Sequence, residues 1–405
     1  MSEYQILAVL SIFVFLYSVV ASRLERTRFS GALVYVLCGL MLGPFGFRLI
    51  DLDVDGEVMK RLAELTLAVV LFSDSAGANL GVLRRIRLLP TRLLLVGLPL
   101  TILLGFAFAI LIYRDLGWIE LALLATMLAP TDAALGKGVI TNDSVPSTVR
   151  EGLNVESGLN DGICVPVILL FLSLASGVVD QGTLASLLVH LPIQAIGVGA
   201  LVGIVFALSA TVSLDFSMQR GWIRGTWMQV PVVALSLACF AVAQWLGGSG
   251  FIACFVGGMT FGGTLKKRKH ELLESSEGMG DVLSMITWFV FGALFIGECL
   301  RSADWHPIVY AICSLTVVRM LPVFICVGGL GFKADSKLFM GWFGPRGLAS
   351  IVFIVMVNGA KLPGSELLVQ AVTWTILLSV VLHGISANPL AAIYAKRVDA
   401  RGGDL

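Results

Sequence analysis

Charge is what this sequence has least of. Asp, Glu, Lys and Arg together make up 14% of its 405 residues, against about 25% in an ordinary soluble domain. Hydrophobic residues make up 57% and the mean hydropathy is +0.92, which excludes a chain built to face water on all sides. No excess of one sign exists either: the net charge is +1, which gives no reason to expect nucleic acid or a strongly acidic partner. The seven cysteines lie mostly inside apolar runs and lack metal-ligand spacing, so they read as small hydrophobes in lipid or helix contacts. No secretory leader is expected. The apolar run 4–21 has no basic segment before it and no small-residue cleavage site after it, and Arg23, Arg26 and Arg28 follow it instead. It is expected to stay as a first membrane helix.

Long apolar runs are what the chain does have. They recur at 4–21, 30–47, 62–79, 90–113, 117–142, 148–175, 186–212, 227–246, 249–265, 279–297, 306–330, 335–360 and 367–395. Each is long enough to cross, or nearly cross, a hydrocarbon layer. The expected fold is therefore an all-α polytopic membrane protein of thirteen spans. Basic residues support that count. If the loops alternate sides, one side collects 20 of the 28 Lys and Arg residues, the other six, and Arg319 and Arg346 fall inside spans. By the positive-inside rule the N-terminus is then outside and the C-terminus cytoplasmic. The last run ends ten residues before the C-terminus, so no soluble regulatory domain is expected. Lys266, Lys267, Arg268 and Lys269 read as a solvated cytoplasmic loop.

Ionisable groups deep in a membrane are costly, and each is a functional candidate. Asp74, Asp132, Glu156 and Asp161 qualify, together with Arg319 and Arg346. Pro130, in the middle of span five, removes a helical hydrogen bond just before Thr131 and Asp132. Backbone opened in this way is tolerated where it lines a cavity rather than lipid. The plainer alternative has Thr131 and Asp132 capping the second half of a kinked helix. In the run 153–162, Asn154, Ser157, Gly158 and Asp161 share one helical face, and Glu156 and Asn160 lie on another. At 1.5 Å per residue, Asp161 stands roughly 17 Å above the cytoplasmic edge and Asp132 roughly 15 Å. Both carboxylates reach mid-membrane at a similar level. Gly344 and Pro345 interrupt span twelve much as Pro130 interrupts span five. Two inverted six-span repeats around an extra central span would pair those two breaks, the usual pointer to a transporter site. Arg346 is expected to arrive near Glu156 as a buried structural pair.

Pro130-Thr131-Asp132, the stretch from Leu153 to Gly162, and Gly341-Trp342 with Arg346-Gly347 resemble, in order along nearly the whole chain, the signature motifs of the monovalent cation/proton antiporters. The similarity is to the branch holding bacterial NhaP-type proteins and animal sodium/proton exchangers. It implies a homodimer in the cell membrane, with a dimerisation domain (about spans 1–3 and 7–10) and a core domain (about spans 4–6 and 11–13) that moves as an elevator. It implies cation ligands at Asp161, Asp132, Ser157 and the Thr131 backbone, with Asn160 and a Glu156–Arg346 pair in support and Asn154 on the same face. Asp74 sits where the family often carries an acid on span three; the alternative for it is a solvated helix end. Asn before Asp at 160–161 implies electroneutral exchange. Ala133-Ala134 departs from the common continuation after Asp132. The implied cargo is sodium, or lithium, against protons, with transport rather than catalysis as the activity and no resident cofactor.

The physics of such a site is competition. A carboxylate buried at mid-membrane makes proton and cation comparable ligands, because either one relieves its uncompensated charge. A cation also needs several oxygens, which carboxylates, a serine and unwound carbonyls supply. Three other expectations are distinguishable. A potassium/proton antiporter would share the fold, and a cation channel would call for a selectivity ring on an oligomer axis. An intramembrane aspartyl protease would want Gly-x-Gly-Asp, where this chain has Gly158-Leu159-Asn160-Asp161.

Overall fold

A computed structural model describes residues 3–25, 30–49, 56–78, 80–132, 135, 137–140, 142–176, 184–265, 269–302, 304–360 and 362–401. Arg26, Arg28, Ala133, Ala134, Lys266, Lys267, Arg268 and Lys361 lie outside the described residues. Among those described, every regular element is a helix. The first half of the chain gives α1 (Glu3–Glu25), α2 (Gly31–Leu42), α3 (Gly56–Gly77), α4 (Leu80–Ile86) and α5 (Leu88–Arg92), which runs through a π turn (Leu93–Gly97) into α6 (Leu98–Ile112). Then come α7 (Trp118–Met127), α8 (Lys137–Ile140), α9 (Ser147–Ala175) and α10 (Leu184–Gln219). The second half gives α11 (Pro231–Trp245), α12 (Gly250–Thr264) and α13 (Lys269–Phe291), continued by a π turn (Gly292–Ile296) into α14 (Gly297–Arg301). It closes with α15 (His306–Leu315), α16 (Val317–Cys326), α17 (Ala334–Trp342), α18 (Leu348–Gly359) and α19 (Ser365–Asp399).

All thirteen apolar runs carry a helix or consecutive helices. Among the described residues, eight helical segments are long and apolar enough to cross a membrane, and α2, α7, α12 and α18 are shorter apolar helices. The edges of several runs move. Span two stops at Leu42 because Gly43 and Pro44 follow, and a residue before proline is driven out of helical geometry. Span seven extends to Gln219, and span eleven breaks at Thr316 (φ −106°, ψ −92°) and ends at Cys326. Local chemistry explains other starts. Ser30 and Ser249 cap α2 and α12 by accepting the Leu33 and Ile252 N–H groups at 3.3 Å.

The outer surface is apolar. Leu111, Val212 and Trp118 are 70%, 71% and 72% exposed, the inverse of a water-soluble surface and what a hydrocarbon solvent calls for. Inside, α3 packs on α12 and α13, α10 on α12, and α2 on α13. The α3–α12 approach is close enough that a Cβ at Gly258 or Gly262 would run into the α3 backbone at Phe72 or Ala76, the small-residue contact typical of membrane helices. A second set packs α7 on α6 and α9, α16 on α17, and α19 on α15 and α18. The two sets meet where α3 and α12 face α9 and α18.

Candidate functional site

The site forms where two helices come apart. Helix α7 ends at Met127 and its chain runs on non-helically through Thr131 and Asp132; α17 ends at Trp342 and residues 343–347 are non-helical before α18. Pro130 and Gly344-Pro345 are the residues at the breaks, as the sequence suggested. The two breaks cross. The Asp132 N–H donates to the Pro345 carbonyl at 2.8 Å.

Each break then caps the other. The Asp132 carboxylate accepts the Leu348 N–H at the start of α18 (Oδ2, 2.8 Å) and the Leu135 N–H (Oδ1, 3.4 Å). Arg346, fully buried, donates from Nη1 to the Ala129 and Pro130 carbonyls at 3.0 and 2.9 Å, and the Ser350 hydroxyl donates to the Met127 carbonyl at 2.9 Å. An anion thus sits at the positive N-terminus of α18 and a cation at the negative C-terminal end of α7. The capping foreseen for Asp132 is real, but its main target is a helix 216 residues away. Gly347 is required by this closeness, since a Cβ there would collide with the Asp132 carboxylate.

Thr131 is clamped to α9. Its N–H donates to Asn160 Oδ1 (3.3 Å), and Asn160 Nδ2 donates to its hydroxyl (2.8 Å). The Ser157 hydroxyl donates to the Thr131 carbonyl (2.7 Å) and lies 2.9 Å from the Thr131 hydroxyl, which can donate back. That ring of bonds leaves the serine oxygen one lone pair for a further partner.

A narrow cleft reaches this crossing between α3, α12 and α9. Asp161, Asp132, Ser157, Gly158 and Asn154 all border it, so the face read from helical spacing is the face that lines the cavity. Asp74 borders it too, from an exposed position near the end of α3. Asp161 is 6% exposed, and its Oδ1 atom has no hydrogen-bond partner among the described residues. Asp132 is near enough for the two negative charges to act on one another. Thr131 is buried beside the cleft without bordering it, its carbonyl engaged by Ser157.

One expected pairing is wrong. Glu156 pairs not with Arg346 but with Arg319 on α16, through Nη1–Oε1 at 2.5 Å and Nη2–Oε2 at 2.8 Å, with both side chains buried. Arg319 also lies against Gly344, whose missing side chain makes room for the guanidinium. Two buried arginines were available, and spacing alone does not say which one the packing of α16 brings to α9. Sequence reasoning also missed Ser379 and His383 on α19. Ser379 Oγ accepts the Arg346 N–H at 2.7 Å, and His383 Nε2 donates to the Trp342 carbonyl at 2.8 Å. A histidine sixteen residues into an apolar run is itself the signal that singled out the carboxylates.

Opposed broken helices crossing at buried carboxylates inside a helical membrane body are the architecture of a secondary-transporter fold. The family described as "Sodium/hydrogen exchanger, transmembrane" matches residues 9–393, and the chain belongs to it. It is similar to the K(+)/H(+) antiporter NhaP2 of Shewanella sp. (strain MR-4), 26% identical over 368 residues, covering 89% of this chain and 62% of that one. It is also similar to the K(+)/H(+) antiporter NhaP of Alkalimonas amylolytica, 26% identical over 387 residues, or 93% of this chain and 65% of that one. The chain thus spans less than two thirds of the length of these relatives. The solved structure of the sodium proton antiporter MjNhaP1 from Methanocaldococcus jannaschii at pH 8 shares the fold, with a TM-score of 0.79 over 96% of this chain and 98% of that one, at 21% identity.

Proposed function

We propose that this protein is a secondary active antiporter that exchanges a monovalent cation for a proton at Asp161. The observation that carries it is the Asp161 Oδ1 atom: a buried, unpartnered carboxylate oxygen bordering a cleft at the crossing of two broken helices. Leaving such an oxygen empty is costly, and a proton or a desolvated cation fills it. Ser157 supplies a free lone pair beside it. Asp132 supplies charge while both of its own oxygens already accept backbone N–H groups. Asp74, exposed on the same cleft, would draw cations toward it.

This division supports a one-for-one exchange. Asp132 is committed to holding the crossed breaks, so Asp161 alone is left to swap one proton for one cation. The core domain crosses when Asp161 is occupied and stays when it is bare. The packing supports an elevator with α5–α9 and α15–α19 as the moving core and α1–α3 with α10–α14 as the dimerisation scaffold, since the cleft lies at their seam. Thirteen spans with N-out topology in the cell membrane complete the proposal. The cleft then opens toward the end of α3, on the cytoplasmic side.

Sodium is the proposed cation, on the motif resemblance and on the sodium proton antiporter that shares the fold. Potassium is the second reading, because two similar curated relatives are named potassium/proton antiporters. Proteoliposomes loaded with a pH-sensitive dye and given sodium, lithium and potassium in turn decide between them. Proton movement with sodium and lithium but not potassium supports sodium, the reverse order supports potassium, and none with any cation removes the antiport reading.

A further inference from the structure

The break between α17 and α18 is held from a third helix. His383 and Ser379 stand one turn apart on α19, 1% and 0% exposed. His383 Nε2 lies 2.8 Å from the carbonyl of Trp342, the last residue of α17. A carbonyl only accepts, so Nε2 carries the proton. The other ring nitrogen, Nδ1, lies 2.9 Å from the Ser379 carbonyl and 3.2 Å from the Ser379 hydroxyl, so both nitrogens are engaged. The same hydroxyl accepts the Arg346 N–H at 2.7 Å.

Ser379 and His383 therefore tie the Arg346 N–H and the Trp342 carbonyl to the same turn of α19. One end of the tie holds the last residue before the break and the other a residue near its far end. Trp342 is fastened a second time through its indole N–H, which donates to Ser386 on the same helix at 2.9 Å. At the far end of the break, Arg346 grips the Ala129 and Pro130 carbonyls and the Leu348 N–H donates to Asp132. Non-helical backbone has no bonding ladder of its own, so its position follows whatever side chains hold it.

We propose that His383, with Ser379, is a positioning residue for the ion site: the pair staples residues 342 and 346 to α19 and so fixes where Asp132 stands relative to Asp161. The staple rests on the antiport reading for its consequence in transport, but not for its consequence in structure. His383 reaches no cation itself and acts through the break.

The test uses the full chain, reconstituted, as wild type, His383→Ala, His383→Gln and Ser379→Ala. A glutamine amide N–H can stand where Nε2 stands, and alanine offers nothing. His383→Ala is expected to raise the cation concentration for half-maximal exchange about tenfold, the effect of one lost positioning hydrogen bond, with maximal rate changed by less than about twofold. His383→Gln should recover most of that loss, and Ser379→Ala should resemble His383→Ala. Amide hydrogen exchange across residues 342–349 should rise in the two alanine variants, stay near wild type in His383→Gln, and not change in α9. Native half-saturation with native amide exchange in either alanine variant overturns the staple. So does a fall in maximal rate with half-saturation unmoved. If His383→Ala does not fold, Ser379→Ala and His383→Gln decide by the same outcomes. If the wild type exchanges no cation, the antiport reading falls, while the amide exchange of residues 342–349 still decides the staple.

Discussion

Replacing Arg319 by alanine would strand the Glu156 carboxylate in the buried interior without its paired guanidinium. In the native protein the two side chains make a two-pronged contact at 2.5 and 2.8 Å, 4% and 3% exposed. Breaking a buried pair by removing one partner costs about 3–5 kcal/mol, because the remaining charge is uncompensated. At roughly 2–4 °C per kcal/mol for chains of 150–250 residues, and less for longer ones, the melting midpoint should fall on the order of 5–10 °C. Replacing both partners, as Glu156→Leu with Arg319→Met, removes the stranded charge together with the pair. It should regain most of the loss, since well-packed hydrophobes often substitute for buried ion pairs at little cost. Thermal melting of detergent-solubilised protein, read by size-exclusion recovery, measures all three variants against wild type. A folded Arg319→Ala protein as stable as wild type, or a double variant no better than the single one, refutes this reasoning. Arg346→Ala separates the two arginines: it frees the Ala129 and Pro130 carbonyls at the site, so exchange should suffer more than the melting midpoint does.

Three further outcomes follow from the geometry. Asn160→Ala removes two of the four bonds that hold Thr131 to α9, leaving those of Ser157, while keeping every charge, so apparent cation affinity should fall about tenfold in flux assays, with Asp161 still exchanging. Gly347→Ala would drive a Cβ into the Asp132 carboxylate, and should abolish exchange even in the fraction that folds, as measured on size-selected protein in liposomes. A C-terminal fluorescent tag should light up in the cytoplasm and an N-terminal one should not; both on one side would reject the odd-span topology.

The fold was legible because its signals are local. Length and apolarity mark each span, and Pro130 and Gly344-Pro345 stand at the breaks, although Pro166, Pro322 and Pro389 lie inside the continuous helices α9, α16 and α19. The face of Asn154, Ser157, Gly158 and Asp161 follows from the 3.6-residue period alone, and those four residues do border the cleft. What stayed hidden depends on how distant segments meet. Glu156 had two candidate arginines, and only the placement of α16 against α9 selects Arg319. Asp132 reads as a local cap or a ligand, and no pattern reveals that it caps α18 across the crossing. Ser379 is an unremarked polar residue in a long apolar helix, and its role appears only once the Arg346 N–H is seen to need an acceptor.

The central claim is that one carboxylate, Asp161, is the place where proton and cation exchange. It is tested most directly by measuring cation-driven proton movement in proteoliposomes from acid to alkaline pH, for wild type, Asp161→Asn and Asp161→Glu. In wild type the apparent cation affinity should fall as pH drops, because protons then occupy the same oxygen, and raising the cation should restore the rate. Asp161→Glu keeps the charge on a longer arm and should exchange weakly. Asp161→Asn should fold and not exchange at any pH, because an amide can neither release a proton nor offset the charge of a cation. PH-dependent exchange by folded Asp161→Asn at a rate near wild type would contradict the account, and the site would have to be rebuilt around Asp132 or Asp74.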